Sequence, residues 1–177
     1  MTTAIYLAHL NPVTNAHVEI IEELKKEDNV VVMPVRFLKE ENEINSRSFP
    51  FNFETRKKML ESVFGNSIKI STNYSFHAPF KKYFPPLISP KSWSLRKQIL
   101  QGIQKDYFTY TGDKAEGIML KLYRLNPKIG TRKIISSTNV KNEMYAASQG
   151  TDSQWKKSVP TNVAEIITFN SLQYFFS

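Results

Sequence analysis

The sequence predicts an α/β fold, a Rossmann-like doubly wound parallel sheet with helices on both faces, and three observations carry that expectation. Short β-branched runs alternate with stretches of helical periodicity, the pattern left by strands joined through crossover helices. The 177 residues suffice for one domain with a conventional core. There is no cysteine, so no disulfide, thiolate metal site or cysteine nucleophile enters the account.

The elements follow in order. TAIYLAHL at 3–10 reads as a buried strand, stopped by the turn NPVTN, in which Pro12 cannot continue a ladder. From Ala16 to Asp28 the apolar residues Val18, Ile20, Ile21 and Leu24 recur at helical spacing. NVVVMPV at 29–35 suits a central parallel strand. A polar loop is expected at 39–50, a helix from Phe53 to Phe64, with Arg56, Lys57 and Lys58 on its exposed face and Arg56 also open to capping a core contact, and a strand at 67–71. Residues 73–91 hold four prolines and five aromatics, which predicts an irregular excursion, read as a lid or an oligomer contact. A helix from Ser92 to Gln104, a strand at 106–112 and a helix from Lys114 to Leu125 come next. The last elements are a strand at 131–136, a helix from Asn139 to Ser148, a loop at 149–158 and a helix after Pro160. The whole chain, 1–177, is thus expected to be one domain with an insertion at 73–91.

Charge is unevenly spread. The chain carries a formal +8, yet residues 62–141 hold 14 basic residues against Asp106, Asp113 and Glu116, a local excess of +11. Such a stretch attracts phosphates, of nucleic acid or of a nucleotide, and also serves as a plain solvated face. The first 18 residues lack the basic start and apolar core of a signal peptide, and no run approaches the roughly 20 apolar residues of a membrane span. A soluble, cytoplasmic protein without a membrane partner is expected.

With six glycines, at 65, 102, 112, 117, 130 and 150, neither GxGxxG nor a Walker GxxxxGK[ST] can be written. Phosphate binding must come from elsewhere, and two strand-to-helix junctions offer it. Asn11-Pro12-Val13-Thr14-Asn15-Ala16-His17 places a histidine in the first turn of a helix, where free N–H groups favour an anion. Ile135-Ser136-Ser137-Thr138-Asn139-Val140-Lys141 places three hydroxyls and a lysine at a later helix start. Taken singly, each also reads as ordinary structure: a packed or solvated histidine, and a Ser/Thr cap with a surface lysine.

Together the two segments resemble the HxGH-type nucleotidyltransferase superfamily, which includes nicotinamide mononucleotide and phosphopantetheine adenylyltransferases and glycerol-phosphate cytidylyltransferase. Leu10-Asn11-Pro12 and Thr14 to His17 match its first motif in place and order, and Ile135 to Lys141 match its ISSTxxR motif, with Lys141 where the family has arginine. Val159-Pro160 ahead of a helix, and Phe51-Asn52-Phe53-Glu54-Thr55-Arg56, are similar to further family elements. Ala8 and Ala16 stand where the family has glycines, and residues 73–105 have no counterpart.

The resemblance implies transfer of a nucleoside monophosphate from a triphosphate, ATP ahead of CTP, to a small phosphorylated acceptor, with release of pyrophosphate. It makes His17, Thr14 and Lys141 the catalytic residues. Leu10, Asn11, Ala16, Lys39, Gly112, Asp113, Ser136, Ser137 and Thr138 become nucleotide-binding, with Arg36 and Arg47 as other contenders for the cation at Lys39. Asp113 is equally open to a helix-cap reading. Tyr74, Trp93 and Arg96 are candidates for the acceptor, beside the alternative that they pack a proline-rich loop. Mg²⁺ is expected on the nucleotide phosphates, with no protein metal site. A nucleic-acid-binding module, a catalytically silent nucleotide binder and a homo-oligomer stay open as alternatives.

Overall fold

A computed structural model describes residues 2–86, 88–131, 135–150 and 153–174, the side chains of the last four excepted. The chain divides into two units, each discontinuous in sequence. The first takes Met1–His9, Ile21–Ile44 and Ile68–Arg132; the second takes Leu10–Ile20, Asn45–Ser67 and Lys133–Ser177.

The first unit holds a five-stranded parallel sheet: β1 (Thr3–Ala8), β2 (Asn29–Pro34), β5 (Lys69–Ile70), β7 (Tyr107–Thr111) and β8 (Pro127–Ile129), in the order β5-β2-β1-β7-β8. Between β2 and β5 the chain adds β3 (Arg36–Lys39) and β4 (Asn42–Glu43), and β6 (Ser75–His77) joins them in a second sheet ordered β4-β3-β6. In the main sheet Ile5 pairs with Val31 and Leu7 with Met33 in register. These four residues share a face and pack with Leu95 and Ile99 of helix α3 (Pro90–Ile99), with Leu120 of helix α4 (Lys114–Leu122), and with Tyr123 and Leu125 beyond it. From β1 the chain steps outward through β2 to β5 on one side and through β7 to β8 on the other. The order therefore reverses between β1 and β7, the place where open α/β sheets bind ligands outside the strand carboxyl ends.

The second unit holds α2 (Phe53–Phe64), α5 (Ser137–Ser148) and α6 (Thr161–Tyr174), and helix α1 (Asn15–Lys25) contributes its first six residues there. Helix α2 has the expected bounds because both its ends are capped. The Asn52 side chain accepts from Thr55 N–H at 2.9 Å, and Gly65, at φ +54°, donates back to the Glu61 carbonyl.

Several expectations change. The polar loop at 39–50 contains strand β4, and the irregular excursion at 73–91 contains β6 and a 3-10 turn at Phe80–Tyr83. Phe37 stacks on Phe76 at 5.5 Å and meets Phe80 edge-on at 5.5 Å, so the aromatics that looked irregular in sequence tie β6 to β3. The proline break at 126–127 opens strand β8, Pro127 being its first residue, where a missing N–H is tolerated. The centre of the expected strand at 131–136 lies outside the described residues. Arg56 is 1% exposed, not on a solvated face, because it falls between Phe53 and Met59 on the buried stripe of α2. The loop at 149–158 includes a 3-10 turn at Trp155–Ser158, with Trp155 buried.

Candidate functional site

Within the second unit, the two junctions singled out in the sequence are joined. The loop after β1 opens with Leu10 at φ +50°, a left-handed conformation that costs a non-glycine residue roughly 1–2 kcal/mol and that concentrates at functional loops. Asn11, 1% exposed, fixes the loop by a two-way pair with Phe51: its side-chain amide donates to the Phe51 carbonyl at 2.7 Å and accepts from Phe51 N–H at 3.2 Å. Leu10 is fully buried and the Asn11 amide is spent on Phe51.

Thr14 precedes helix α1, its carbonyl accepting from Val18 N–H at 3.1 Å. Three residues on, His17 reaches back and its Nδ1 accepts from Thr14 N–H at 3.0 Å, with Thr14 Oγ1 at 3.1 Å. This is the returning half of a capping box, with imidazole in place of the usual Glu or Gln. A backbone N–H can only donate, so Nδ1 is the acceptor and the neutral ring carries its proton on Nε2. Thr14 is fully buried, with its N–H and its hydroxyl both against His17 Nδ1.

Helix α5 starts similarly. Ser136 caps it, accepting from Asn139 N–H at 3.2 Å, and Ser137 Oγ donates to the Pro12 carbonyl at 2.9 Å, tying this helix start to the first loop. Thr138 is exposed in the first turn. Neither α1 nor α5 has an acidic residue in its first turn, so both N-termini keep their positive dipole ends uncompensated. Lys141 donates to the Ser48 carbonyl at 2.5 Å and lies 5.8 Å from the Phe49 ring; its partial burial lowers its pKa. Asn15 donates to the Lys157 carbonyl at 2.9 Å. Ala16 is buried at the helix start.

Except for Arg47, which belongs to the second unit, the remaining predicted residues lie in the first unit. Gly112 and Asp113 follow β7 at the strand-order reversal, and with Lys114, Ala115, Ile129, Gly130 and Thr131 they line a cleft of about 590 Å³. Asp113 is the N-cap of α4, accepting from Glu116 N–H at 2.9 Å, so the cap reading holds for one of its oxygens. Beneath the turn, Thr111 Oγ1 accepts from Asp113 N–H at 3.1 Å and donates to Glu116 Oε2 at 2.7 Å, while Tyr74 donates to Glu116 Oε1 at 3.2 Å. Burial pushes the Glu116 carboxyl above the usual carboxylate range, although both hydrogen bonds oppose the shift. This half-buried group was missed in the sequence, where it reads as one more helix-face acid.

Lys39 ends β3, exposed, ahead of the turn at Glu40 and Glu41. Tyr74 is 3% exposed, its ring in the core and its hydroxyl on Glu116, so it has no face to offer an acceptor. Trp93 is 40% exposed, with the Arg96 guanidinium 5.5 Å from its ring; Arg96 also donates to the Tyr123 carbonyl at 3.0 Å. Among the described residues no group of three or more His, Asp or Glu gathers for a metal ion, and no helix is long and apolar enough to cross a membrane.

No family model and no curated protein matches the sequence. The fold, however, is one that adenylyltransferases of pyridine mononucleotides adopt. A bifunctional NMN adenylyltransferase/ADP ribose pyrophosphatase from Francisella tularensis superposes on 99% of this chain with a TM-score of 0.70 at 17% identity. The bifunctional enzyme of that organism complexed with AMP and a manganese ion gives 0.68 at 14% identity, again over 99% of this chain. This chain spans about half the length of those proteins, 52% and 51%. A Plasmodium falciparum nicotinic acid mononucleotide adenylyltransferase complexed with NaAD gives a TM-score of 0.54 at 16% identity, with 98% of this chain and 97% of that one covered. At such identities the likeness establishes the shared fold.

Proposed function

We propose that this protein is a nucleotidyltransferase that moves an adenylyl group from ATP to a small phosphorylated acceptor, a pyridine mononucleotide being the first to test, with release of pyrophosphate. The observation that carries the reading is the Ser137–Pro12 hydrogen bond, which holds two acid-free helix starts together, one bearing His17 and the other Ser136, Ser137, Thr138 and Lys141. The adenylyltransferases that share the fold support the choice of reaction and of nucleotide.

In the reaction an acceptor phosphate oxygen attacks the α-phosphorus, a new P–O bond forms, and the α–β bridging P–O bond breaks to give pyrophosphate. The chain needs no covalent nucleophile; it positions two anions and stabilises the charge that builds on the leaving oxygen. His17 Nε2–H donates to phosphate oxygen, with Thr14 fixing the ring from behind. Ser137, Thr138 and Lys141 take the β- and γ-phosphates, for which Lys141 exchanges the Ser48 carbonyl for phosphate oxygen. Gly112 and Asp113 are proposed for the ribose, Lys39 as a further cation, and Trp93 and Arg96 for the acceptor. Mg²⁺, expected on the nucleotide phosphates, would supply charge neutralisation there.

The test is pyrophosphate release from purified protein with Mg²⁺, each of the four nucleoside triphosphates, and a panel of phosphorylated acceptors that includes nicotinamide mononucleotide, phosphopantetheine and glycerol phosphate. Release with ATP and one acceptor is the expected result. Silence with calorimetric binding of ATP points to a nucleotide binder without catalysis. Silence together with tight, steeply salt-dependent binding of single-stranded nucleic acid would replace the proposal by the nucleic-acid reading that the +11 stretch allows.

A further inference from the structure

We propose that Glu116 is a positioning residue for the nucleoside end of the site: through Thr111 it holds Asp113 where its carboxylate accepts from a sugar hydroxyl of the nucleotide. The inference rests on the function proposed above, in which Asp113 meets the ribose, and it gives a role to a carboxyl which that function does not use.

Three residues at the start of α4 close a ring of hydrogen bonds, each donating once to the side chain of another. Asp113 N–H donates to Thr111 Oγ1 at 3.1 Å, Thr111 Oγ1 donates to Glu116 Oε2 at 2.7 Å, and Glu116 N–H donates to Asp113 Oδ1 at 2.9 Å. The other oxygen of Glu116 faces out of the ring and accepts from Tyr74 Oη at 3.2 Å, 42 positions away in sequence. Tyr74 is seated in the core, so the ring is fastened to the body of the first unit and not only to its own helix.

Asp113 and Glu116 stand at the N-cap and the third helical position, the two places of a capping box. In an ordinary box the second carboxyl accepts from the N-cap N–H directly. Here the Thr111 hydroxyl is inserted between them, and the Glu116 carboxyl reaches the buried Tyr74 instead. A hydroxyl has one proton to give, and giving it to Glu116 turns the oxygen lone pairs toward Asp113 N–H. Without that carboxyl the proton has no fixed direction, and the turn loosens at the residue that lines the cleft. The cap spends Oδ1 of Asp113 and leaves Oδ2 for the cleft. A carboxylate repels phosphate and accepts from neutral donors, and the donors of a nucleotide nearest its phosphates are the sugar hydroxyls.

Calorimetric binding of ATP, 2′-deoxy-ATP and 3′-deoxy-ATP to the full chain and its variants tests this. The wild type is expected to prefer ATP to one or both deoxy analogues by about 10- to 100-fold, the range for a hydrogen bond to a charged group. Glu116→Ala and Thr111→Val are each expected to bring that preference below about 3-fold, the loss of most of that bond. Glu116→Gln, whose amide oxygen still accepts from Thr111, is expected to keep most of the preference. In Asp113→Ala, which lacks the carboxylate, adding Glu116→Ala is expected to change the ratio no further, because the two act as one unit. A merely structural role would weaken the three nucleotides alike and leave the ratio unmoved. If Glu116→Ala and Thr111→Val keep the wild-type ratio, or if Glu116→Ala lowers it further in the absence of Asp113, the inference is overturned while the proposed function stands. If the wild type binds ATP and both analogues equally, the inference and the Asp113 ribose contact are overturned, and pyrophosphate release still decides the function. If the wild type binds none of the three, the proposed function and the inference fall together. Thermal melts of each variant accompany the titrations, and the Thr111→Val ratio decides the matter if Glu116→Ala does not fold.

Discussion

His17 carries two jobs on its two ring nitrogens, and a pair of substitutions separates them. Nδ1 closes the cap of helix α1 on Thr14 N–H, and Nε2 is the donor in the proposed reaction. Replacing His17 by alanine removes both. Loss of a helix cap costs about 0.5–2 kcal/mol, which for a chain of this length lowers the melting temperature by roughly 2–4 °C per kcal/mol. Loss of a transition-state hydrogen-bond donor costs on the order of 10²- to 10³-fold in turnover. Glutamine is the natural residue for the returning half of a capping box, and its side-chain oxygen accepts from Thr14 N–H as Nδ1 does. His17→Gln is therefore expected to melt close to the wild type yet to keep the full loss of pyrophosphate release, whereas His17→Ala loses on both counts. Melts by circular dichroism and a coupled pyrophosphate assay read the two quantities. Equal destabilisation of the two variants would refute the cap, and near-normal turnover in a folded His17→Ala would refute the catalytic role.

Three further outcomes follow from the geometry. A Cβ on Gly130 would stand 1.7 Å from Tyr110 Oη, whereas one on Gly112 meets nothing within 4 Å. Gly130→Ala is thus expected to destabilise by about 1–3 kcal/mol through overpacking, and Gly112→Ala to melt within about 0.5 kcal/mol of the wild type while weakening ATP in a titration. Asn11→Ala strips both buried backbone groups of Phe51 of their partner, for an expected loss of about 2–4 kcal/mol measured by urea unfolding. For Glu116 the folded carboxyl titrates above its unfolded value of 4.5, so the native state holds the proton more tightly than the unfolded chain and stability falls as pH rises from 4.5 through the folded value. Melting curves from pH 4.5 to 8 should show this decline in the wild type and a flatter one in Glu116→Gln; identical profiles would remove Glu116 from the account.

The parts of the fold that were legible in sequence are those whose signals are local. Helix α2 has the bounds its periodicity and Asn52 cap dictate, β1 and β2 carry continuous apolar runs, and β7 is a run of aromatic and β-branched residues. What was illegible depends on partners distant in sequence. Strand β6 is three residues long and exists because Arg36, Phe37 and Leu38 pair with Ser75, Phe76 and His77, some forty positions away. Arg56 reads equally as an exposed cation or as a cap on a core contact until the buried stripe of α2 is seen to pass through it. At the site, residue types and order marked Thr14, His17 and Ser136–Lys141, since helix starts leave a local signature. The commitments of Asn11 to Phe51, of Tyr74 to Glu116 and of Arg47 to Tyr145 are tertiary, and no spacing rule reveals them.

The bonds that gather the loops of the second unit around its helices are asymmetric. Asn15, Ser137, Lys141 and Tyr145 each donate a side chain, and each acceptor is a main-chain carbonyl, of Lys157, Pro12, Ser48 and Arg47 in turn. A carbonyl is provided by whatever amino acid occupies the position, so selection acting through these bonds constrains the donor and leaves the acceptor free to drift. Over long divergence such an architecture keeps a few isolated helix positions while the loops they grip lose all resemblance. That is one physical route to a shape shared at 14–17% identity by a sequence that no family profile matches.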